Sequence, residues 1–225
     1  MRATLSLNEI VSKSTRALAV LGLPPWTDIE NGKNIGWLEA HNLPGLKYLC
    51  QEIREFSDQD KGSTMKLVKN GTDISFVGCD QSGFLLAQSA IDFTVKKNKV
   101  NIQSCRYPLL LLAEIARRRH LTYGLKIQWG EGTTINTCFC IAGHTYCELK
   151  SDIHYDAFDI ELTPIKDLEI ANFTKMKEEW KSSLKNGIKF KKSDWELVCK
   201  TSNMSLVPNS EVSRTSAGPE VDDRI

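Results

Sequence analysis

The sequence has no long hydrophobic run, no surplus of either charge and none of the familiar catalytic signatures. Each absence removes a class of function. Leu109–Ala113 is as long as any apolar run, with RRRH close behind it, far short of the roughly 20 residues that span a bilayer. Lys and Arg number 29 against 28 Asp and Glu, a net charge of +1, so no overall field holds a polyanion and nucleic acid is not an expected partner. MRATLSLNEIVSKST meets Asn8, Glu9, Ser12 and Lys13 before any uninterrupted apolar core forms, which argues against a secretory signal and for a cytoplasmic protein. No Gly-rich phosphate loop, H-E-x-x-H, G-x-S-x-G or kinase set occurs, removing the best-known nucleotide, zinc-protease and serine-hydrolase chemistries.

The residues present form an ordinary globular composition with helical and strand periodicities in separate blocks. Ser6 and Glu9 are spaced as a capping box, ahead of a stripe of Leu7, Ile10, Val11, Leu18 and Leu21 that Gly22 and Pro24-Pro25 end. Thr27 and Glu30 repeat the box before a second helix carrying Ile29, Gly36, Trp37 and Ala40, with Asn31-Gly32 as a weak point. Leu46, Leu49, Cys50, Ile53 and Phe56 continue at helical spacing. The polar run SDQDKGS, 57–63, then divides a helical segment, 1–56, from a strand-rich one.

MKLVK-NG-TDISF is the clearest strand signal. Asn70-Gly71 suits a type I′ turn, which would pair Met65 with Phe76 and Leu67 with Ile74. IDFTVKKNKVNIQ is either a second hairpin or the end of a helix bearing Phe84, Ala87 and Ile91. Pro108–His120 reads as a helix with Leu109, Leu112, Ala113 and Ala116 inward. Its RRRH end either complements the helix dipole or binds an anion. LKIQW, INTCFCI and FDIEL alternate as half-buried strands. Phe173, Met176, Trp180 and Leu184 start a closing helical block, and Ser193 and Glu196 cap a last helix. Helices, then mostly antiparallel strands around a central helix, then helices, predict an α+β fold. Residues 1–205 are expected to form one domain and residues 206–225 an arm.

Three clusters could carry chemistry. Cys138, Cys140, His144 and Cys147 supply four zinc-type donors in TCFCIAGHTYC, although C-x-C is tighter than most zinc patterns. With seven cysteines in a reducing compartment, the alternative is small buried hydrophobes. Asp152, His154 and Asp156 would share one face of a strand as a tuned base or metal site, or simply form a polar connection. In the tail, LVPNSEVSR places Glu211, Ser213 and Arg214 beyond Pro208. A guanidinium there is shaped to grip a carboxylate or phosphate.

LSLNEI at 5–10, GWLEAHNLPGL at 36–46, PLLLL at 108–112 and LVPNSEVSR at 206–214 together resemble a bacterial family of unknown function, of about this length. Pro208, Ser210, Glu211, Ser213 and Arg214 match its V-P-x-[ST]-E-x-S-R step, and Asp222 and Asp223 its acidic end. Between them TSAGPEV has a single Gly218 and a Pro219 where that family is richer in glycine. The resemblance implies that the tail is a working feature.

The expected protein is an enzyme, or partner subunit of one, in small-molecule metabolism, with no cofactor expected. Arg214 would grip a small anionic ligand, Ser213 donate to it and Glu211 orient it or act as general base. The alternative is a non-catalytic subunit whose arm docks on a protein partner or second copy through Glu211 and Arg214.

Overall fold

A computed structural model describes residues 4–56, 65–78, 81–96, 98–118, 123–132, 134–141, 143–149, 157–165, 173–176 and 179–205. The architecture is α+β. It opens with β1 (Thr4–Leu5) and three helices, α1 (Leu7–Val20), α2 (Thr27–Ala40) and α3 (Gly45–Phe56). Then come β2 (Lys66–Asn70), β3 (Asp73–Val77), β4 (Gln81–Ser82), α4 (Gly83–Thr94), β5 (Lys99–Arg106) and α5 (Pro108–Arg117). Next are four strands, β6 (Gly124–Glu131), β7 (Thr134–Ile141), β8 (His144–Glu148) and β9 (Phe158–Ile165). The described chain closes with β10 (Thr174–Lys175), α6 (Glu179–Asn186), β11 (Ile188–Lys189) and α7 (Lys192–Asn203).

The main sheet has the order β10-β8-β7-β6-β9-β5-β3-β2, with β4 beside β5. Its pairs are antiparallel except β3–β5 and β4–β5. Alternation sets its two faces. Ile74, Phe76, Val100, Ile102, Leu125, Ile127, Ile160 and Leu162 are buried on one face, where α4 and α5 pack against it. Asn101, Glu161, Gln128 and Thr137 are successive partners across β5, β9, β6 and β7 and form a polar row on the other face.

The central helix α5 is buried more completely than a one-sided stripe predicts. Leu109, Leu110, Leu111 and Leu112 are all fully buried, because α5 has the sheet on one side and α2 and α4 on others. Each such leucine contributes roughly 1.5–3 kcal/mol. Pro108 occupies the first turn, where its missing N–H costs no hydrogen bond.

Helices α1 and α2 pack closely because α2 presents Gly32 and Gly36 one turn apart. A Cβ on Gly32 would meet Thr15 Oγ1 at 2.1 Å, and one on Gly36 would meet Val11 Cγ2 at 2.6 Å. The Asn31-Gly32 step that weakens the helix by propensity is thus the contact surface for α1. Asn31 is buried and donates to the Phe84 carbonyl at 2.6 Å, pinning α2 to the start of α4. At the other end α7 packs on α1 and α3.

Several local expectations are corrected. Ser6 does cap α1, accepting from Glu9 N–H at 3.2 Å. Thr27 does not cap α2: the cap is Trp26 at φ 74°, without a side-chain cap bond. Glu30 instead turns toward Lys33 and Arg117. The cap of α7 is Lys191, ahead of Ser193. The first hairpin turns at Gly71–Thr72, with Asn70 opposite Asp73, Lys69 opposite Ile74 and Leu67 opposite Phe76. Gly71 alone has positive φ there, which suits a II′-type loop and moves the register by two residues. The segment after Phe84 is helix α4, not a hairpin.

Candidate functional site

A cavity of about 310 Å³ opens between the helices and the β8 end of the sheet. Helix α2 supplies one wall with Lys33, Trp37, Ala40 and His41. Lys33, Trp37 and His41 recur every four residues, so they share one face. Leu7 and Val11 of α1 are carried to this wall by the close approach at Gly32 and Gly36. Ala116 and Arg117 come from the end of α5, and Trp180 from α6. The opposite wall is His144 and Thr145 of β8 with Lys175 and Met176 at β10. Among the described residues no carboxylate lines the cavity.

His41 is held by its own helix end. It is the C-cap of α2, and Asn42 comes next with φ 57°. Leu43 N–H donates to Leu38 O at 2.8 Å and Asn42 N–H to Glu39 O at 3.1 Å, the paired bonds of a Schellman ending. This is the work of the A-H-N-L-P-G run: a helix stop that leaves a histidine at the cavity wall. Glu39 Oε1 accepts Leu46 N–H at 2.7 Å, tying the start of α3 to the same corner. Burial pushes the Glu39 carboxyl up to about 7 even though the Leu46 amide opposes it, and nearby Asp194 adds to the rise.

His41 Nδ1 lies 2.7 Å from the Trp37 carbonyl. A carbonyl only accepts, so Nδ1 carries the proton, and the neutral ring has its acceptor lone pair on Nε2. The Trp37 and His41 rings stack with centroids 4.1 Å apart. Such a histidine is suited to exchange a proton with a ligand in the cavity.

The cations on the helix side are already engaged. Arg117 donates to Glu30 Oε2 at 2.5 Å, Asn34 Oδ1 at 2.5 Å and Glu30 O at 3.2 Å, with Glu114 Oε2 at 3.4 Å. Lys33 Nζ donates to Glu30 Oε1 at 2.6 Å. Burial would raise the Glu30 carboxyl, but the bonds from Lys33 and Arg117 prevail and hold it below the usual carboxylate range. Glu114, 2% exposed, also accepts from Asn34 at 3.0 Å and from Arg118 Nε at 2.7 Å. Arg118 further pairs with Asp92. In RRRH, therefore, Arg117 and Arg118 both neutralise the buried Glu114, with half-buried Glu30 and exposed Asp92 as their further partners. Arg119 and His120 lie outside the described residues.

The sulfur cluster is divided. Cys138 and Cys140 are buried on β7, with Cys138 directly opposite Cys147. Cys147 Sγ contacts Met176 Sδ at 3.6 Å, and Cys140 Sγ contacts Thr145 Oγ1 at 3.6 Å. Burial pushes the Cys140 thiol up to about 12. It also raises Cys138 well above the usual thiol range, with the adjoining Cys147 adding to the effect. His144 stands apart from the sulfurs and lines the cavity. Among the described residues no three His, Cys, Asp or Glu side chains converge to hold a metal ion. Asp152, His154 and Asp156, and the tail residues Glu211, Ser213 and Arg214, lie outside the described residues.

His41 is the residue that sequence reasoning passed over. Its signal was the Lys33, Trp37, His41 spacing ahead of Asn-Leu-Pro-Gly, which predicts a helix end with one polar face.

Among the described residues no helix is long and apolar enough to cross a membrane. The fold is that of a group of solved dehydrogenases. A dehydrogenase from Sinorhizobium meliloti superposes with a TM-score of 0.67 at 11% identity, covering 89% of this chain and 99% of that one. A proposed malate/lactate dehydrogenase from E. coli gives 0.67 at 8% identity, over 92% of this chain and 96% of that one. The sulfolactate dehydrogenase of Methanocaldococcus jannaschii gives 0.63 at 8% identity, over 90% and 97%. At such identity the likeness is one of fold. None of the curated proteins matches the sequence. Residues 5–77, from the end of β1 through the first hairpin, match the family model described as a protein of unknown function (DUF3726).

Proposed function

We propose that the protein is an enzyme of small-molecule metabolism that takes a small organic acid in this cavity. His41 exchanges a proton with the ligand. One observation carries the reading: a histidine of fixed tautomer shares a cavity with Lys33, Arg117 and Lys175, and no described carboxylate lines it. Trp37, Trp180 and Met176 offer an apolar surface for the carbon skeleton. The names of the fold neighbours, lactate, malate and sulfolactate dehydrogenases, support a 2-hydroxy or 2-oxo acid as the ligand class. In such chemistry the hydroxyl proton passes to His41 Nε2 as the carbonyl forms. The departing hydride requires an acceptor supplied as a second substrate.

The C-terminal arm belongs to the same reading. Residues 1–205 act as one domain, and residues 206–225 as an arm that brings Ser213 and Arg214 to the ligand and Glu211 to orient it. Lys13 Nζ donates to Asn203 Oδ1 at 3.0 Å, so α7 ends beside α1, whose Leu7 and Val11 line the cavity. Twenty extended residues reach at most roughly 65 Å.

The test is turnover of lactate, malate and sulfolactate by the full chain, with a nicotinamide dinucleotide as hydride acceptor. His41→Asn keeps a polar group and the fold but loses the proton acceptor. It is expected to bind the acid and to turn over about 100-fold more slowly or worse. Unchanged turnover in that variant removes His41 from the reaction.

A further inference from the structure

We infer that Cys138 and Cys147 form a modification site: two thiols facing each other across β7 and β8 that a hydroperoxide converts into a reversible disulfide. The bridge forms in the wall of the cavity, because Cys147 touches Met176 and Met176 lines it.

Backbone geometry brings the two sulfurs within bonding reach. Cys138 and Cys147 are register partners in the antiparallel β7–β8 pair, so their side chains share one face of the sheet. The Thr145 carbonyl accepts Met176 N–H at 2.8 Å. That turns the backbone polar groups of Thr145, and of Cys147 two residues on, toward β10. On the β7 side Cys147 therefore sits in a non-hydrogen-bonded pair. The hairpin gives the same answer: Ile141 and His144 close a two-residue loop as a hydrogen-bonded pair, and alternation makes Cys138–Cys147, three pairs along, the other kind. In such a pair the Cα atoms are about 4.5 Å apart and the side chains are at their closest. A disulfide spans Cα separations of about 4.4–6.8 Å, so the bridge closes without moving either strand. Cys140 faces Thr145 instead of a thiol and does not compete.

Access sets the order of events. Cys147 is half-buried, whereas Cys138 is fully buried, so hydrogen peroxide meets Cys147 first. The Cys147 sulfur attacks one peroxide oxygen, the O–O bond breaks, and the leaving hydroxide takes the thiol proton to give water and a sulfenic acid. Cys138 Sγ then attacks the Cys147 sulfur. The S–OH bond breaks, and the departing hydroxide leaves as a second water with the Cys138 proton. Two thiols lose two electrons and two hydrogens, and the peroxide is reduced to water. Burial, helped by the adjoining Cys147, holds the Cys138 thiol well above the usual range, which suits a partner that stays protonated until a sulfenic acid adjoins it. A dithiol reductant reverses the bridge by exchange. As Cys147 Sγ turns to Cys138 it gives up its contact with Met176 Sδ at 3.6 Å, so the wall that Met176 contributes changes with redox state.

Peptide mapping by mass spectrometry tests this on the folded full chain, treated with stoichiometric hydrogen peroxide and quenched by alkylation. A Cys138–Cys147 crosslink, two hydrogens lighter than the dithiol and lost on reduction, is expected. Cys138→Ala is expected to carry no crosslink and to accumulate Cys147 sulfenic acid, captured with dimedone. Cys199→Ser, which removes a half-buried thiol on α7, keeps the crosslink in full. Wild-type protein in which Cys138 and Cys147 stay unlinked, or in which Cys147 bridges to a different cysteine, would overturn the site. That wild-type result is decisive whether or not the variants fold as well. In protein carrying 13C-methyl methionine, the Met176 signal is expected to shift on oxidation while those of exposed Met65 and Met204 stay in place. An unmoved Met176 signal overturns the link to the cavity wall.

Discussion

Trp37 and His41 sit one turn apart on α2, joined twice: their rings stack at 28° and the Trp37 carbonyl takes the His41 Nδ1 proton at 2.7 Å. The backbone bond sets the tautomer, and the stack sets the plane of the ring. Both constraints come from the same helical turn, so the imidazole is oriented before any ligand arrives.

Trp37→Leu separates the two constraints, because it keeps the carbonyl and removes the stack. The stack is worth about 0.5–1.5 kcal/mol, so turnover should fall several-fold while the acid still binds. A steady-state comparison of kcat and KM checks this. An unchanged kcat would show that the indole serves only as a wall.

Glu114 is the buried centre of the α2–α5 contact, receiving Asn34, Arg117 and Arg118. Glu114→Ala leaves two guanidinium groups short of a partner in a largely buried setting and should cost about 3–5 kcal/mol. Glu114→Gln keeps the shape and should cost less. Urea unfolding midpoints at fixed m-value measure both.

Glu39 makes stability depend on pH in the direction opposite to a salt-bridged acid. Its carboxyl is raised by burial from 4.5 in an exposed chain to about 7 in the fold, so the folded state holds the proton more tightly. The resulting stabilisation is complete below about pH 4.5 and is lost as pH rises through about 7, by up to about 3 kcal/mol. Glu39→Gln should flatten melting temperature across that window. If the slope persists in the variant, another group is responsible.

Much of the fold was legible in local chemistry. Ser6 capping α1, the alternation in β6 and β9, and Pro108 opening α5 each depend on one residue type in one local setting. Expectation and structure part where tertiary contacts override propensity. Asn31-Gly32 reads as a helix breaker but is the surface that lets α1 approach α2. Glu30 reads as half of a capping box but is drawn to Arg117, 87 residues away.

The site divides in the same way. RRRH allows an anion site beside simple complementation of the helix dipole, and the structure shows Arg117 and Arg118 spent on Glu30, Glu114 and Asp92. Cys138, Cys140, His144 and Cys147 allow either a metal site or buried structural thiols from spacing alone, and strand pairing turns the thiols to one another and to Met176.

By itself the sequence determined the class of fold, the near-neutral charge and the cap of α1 at Ser6, because those depend on residue type and spacing over a few turns. Only the tertiary structure decided which cations can act on a ligand. Whether a lysine or arginine can meet a ligand depends on the carboxylates that reach it from distant segments. That neutralisation leaves no trace in local spacing.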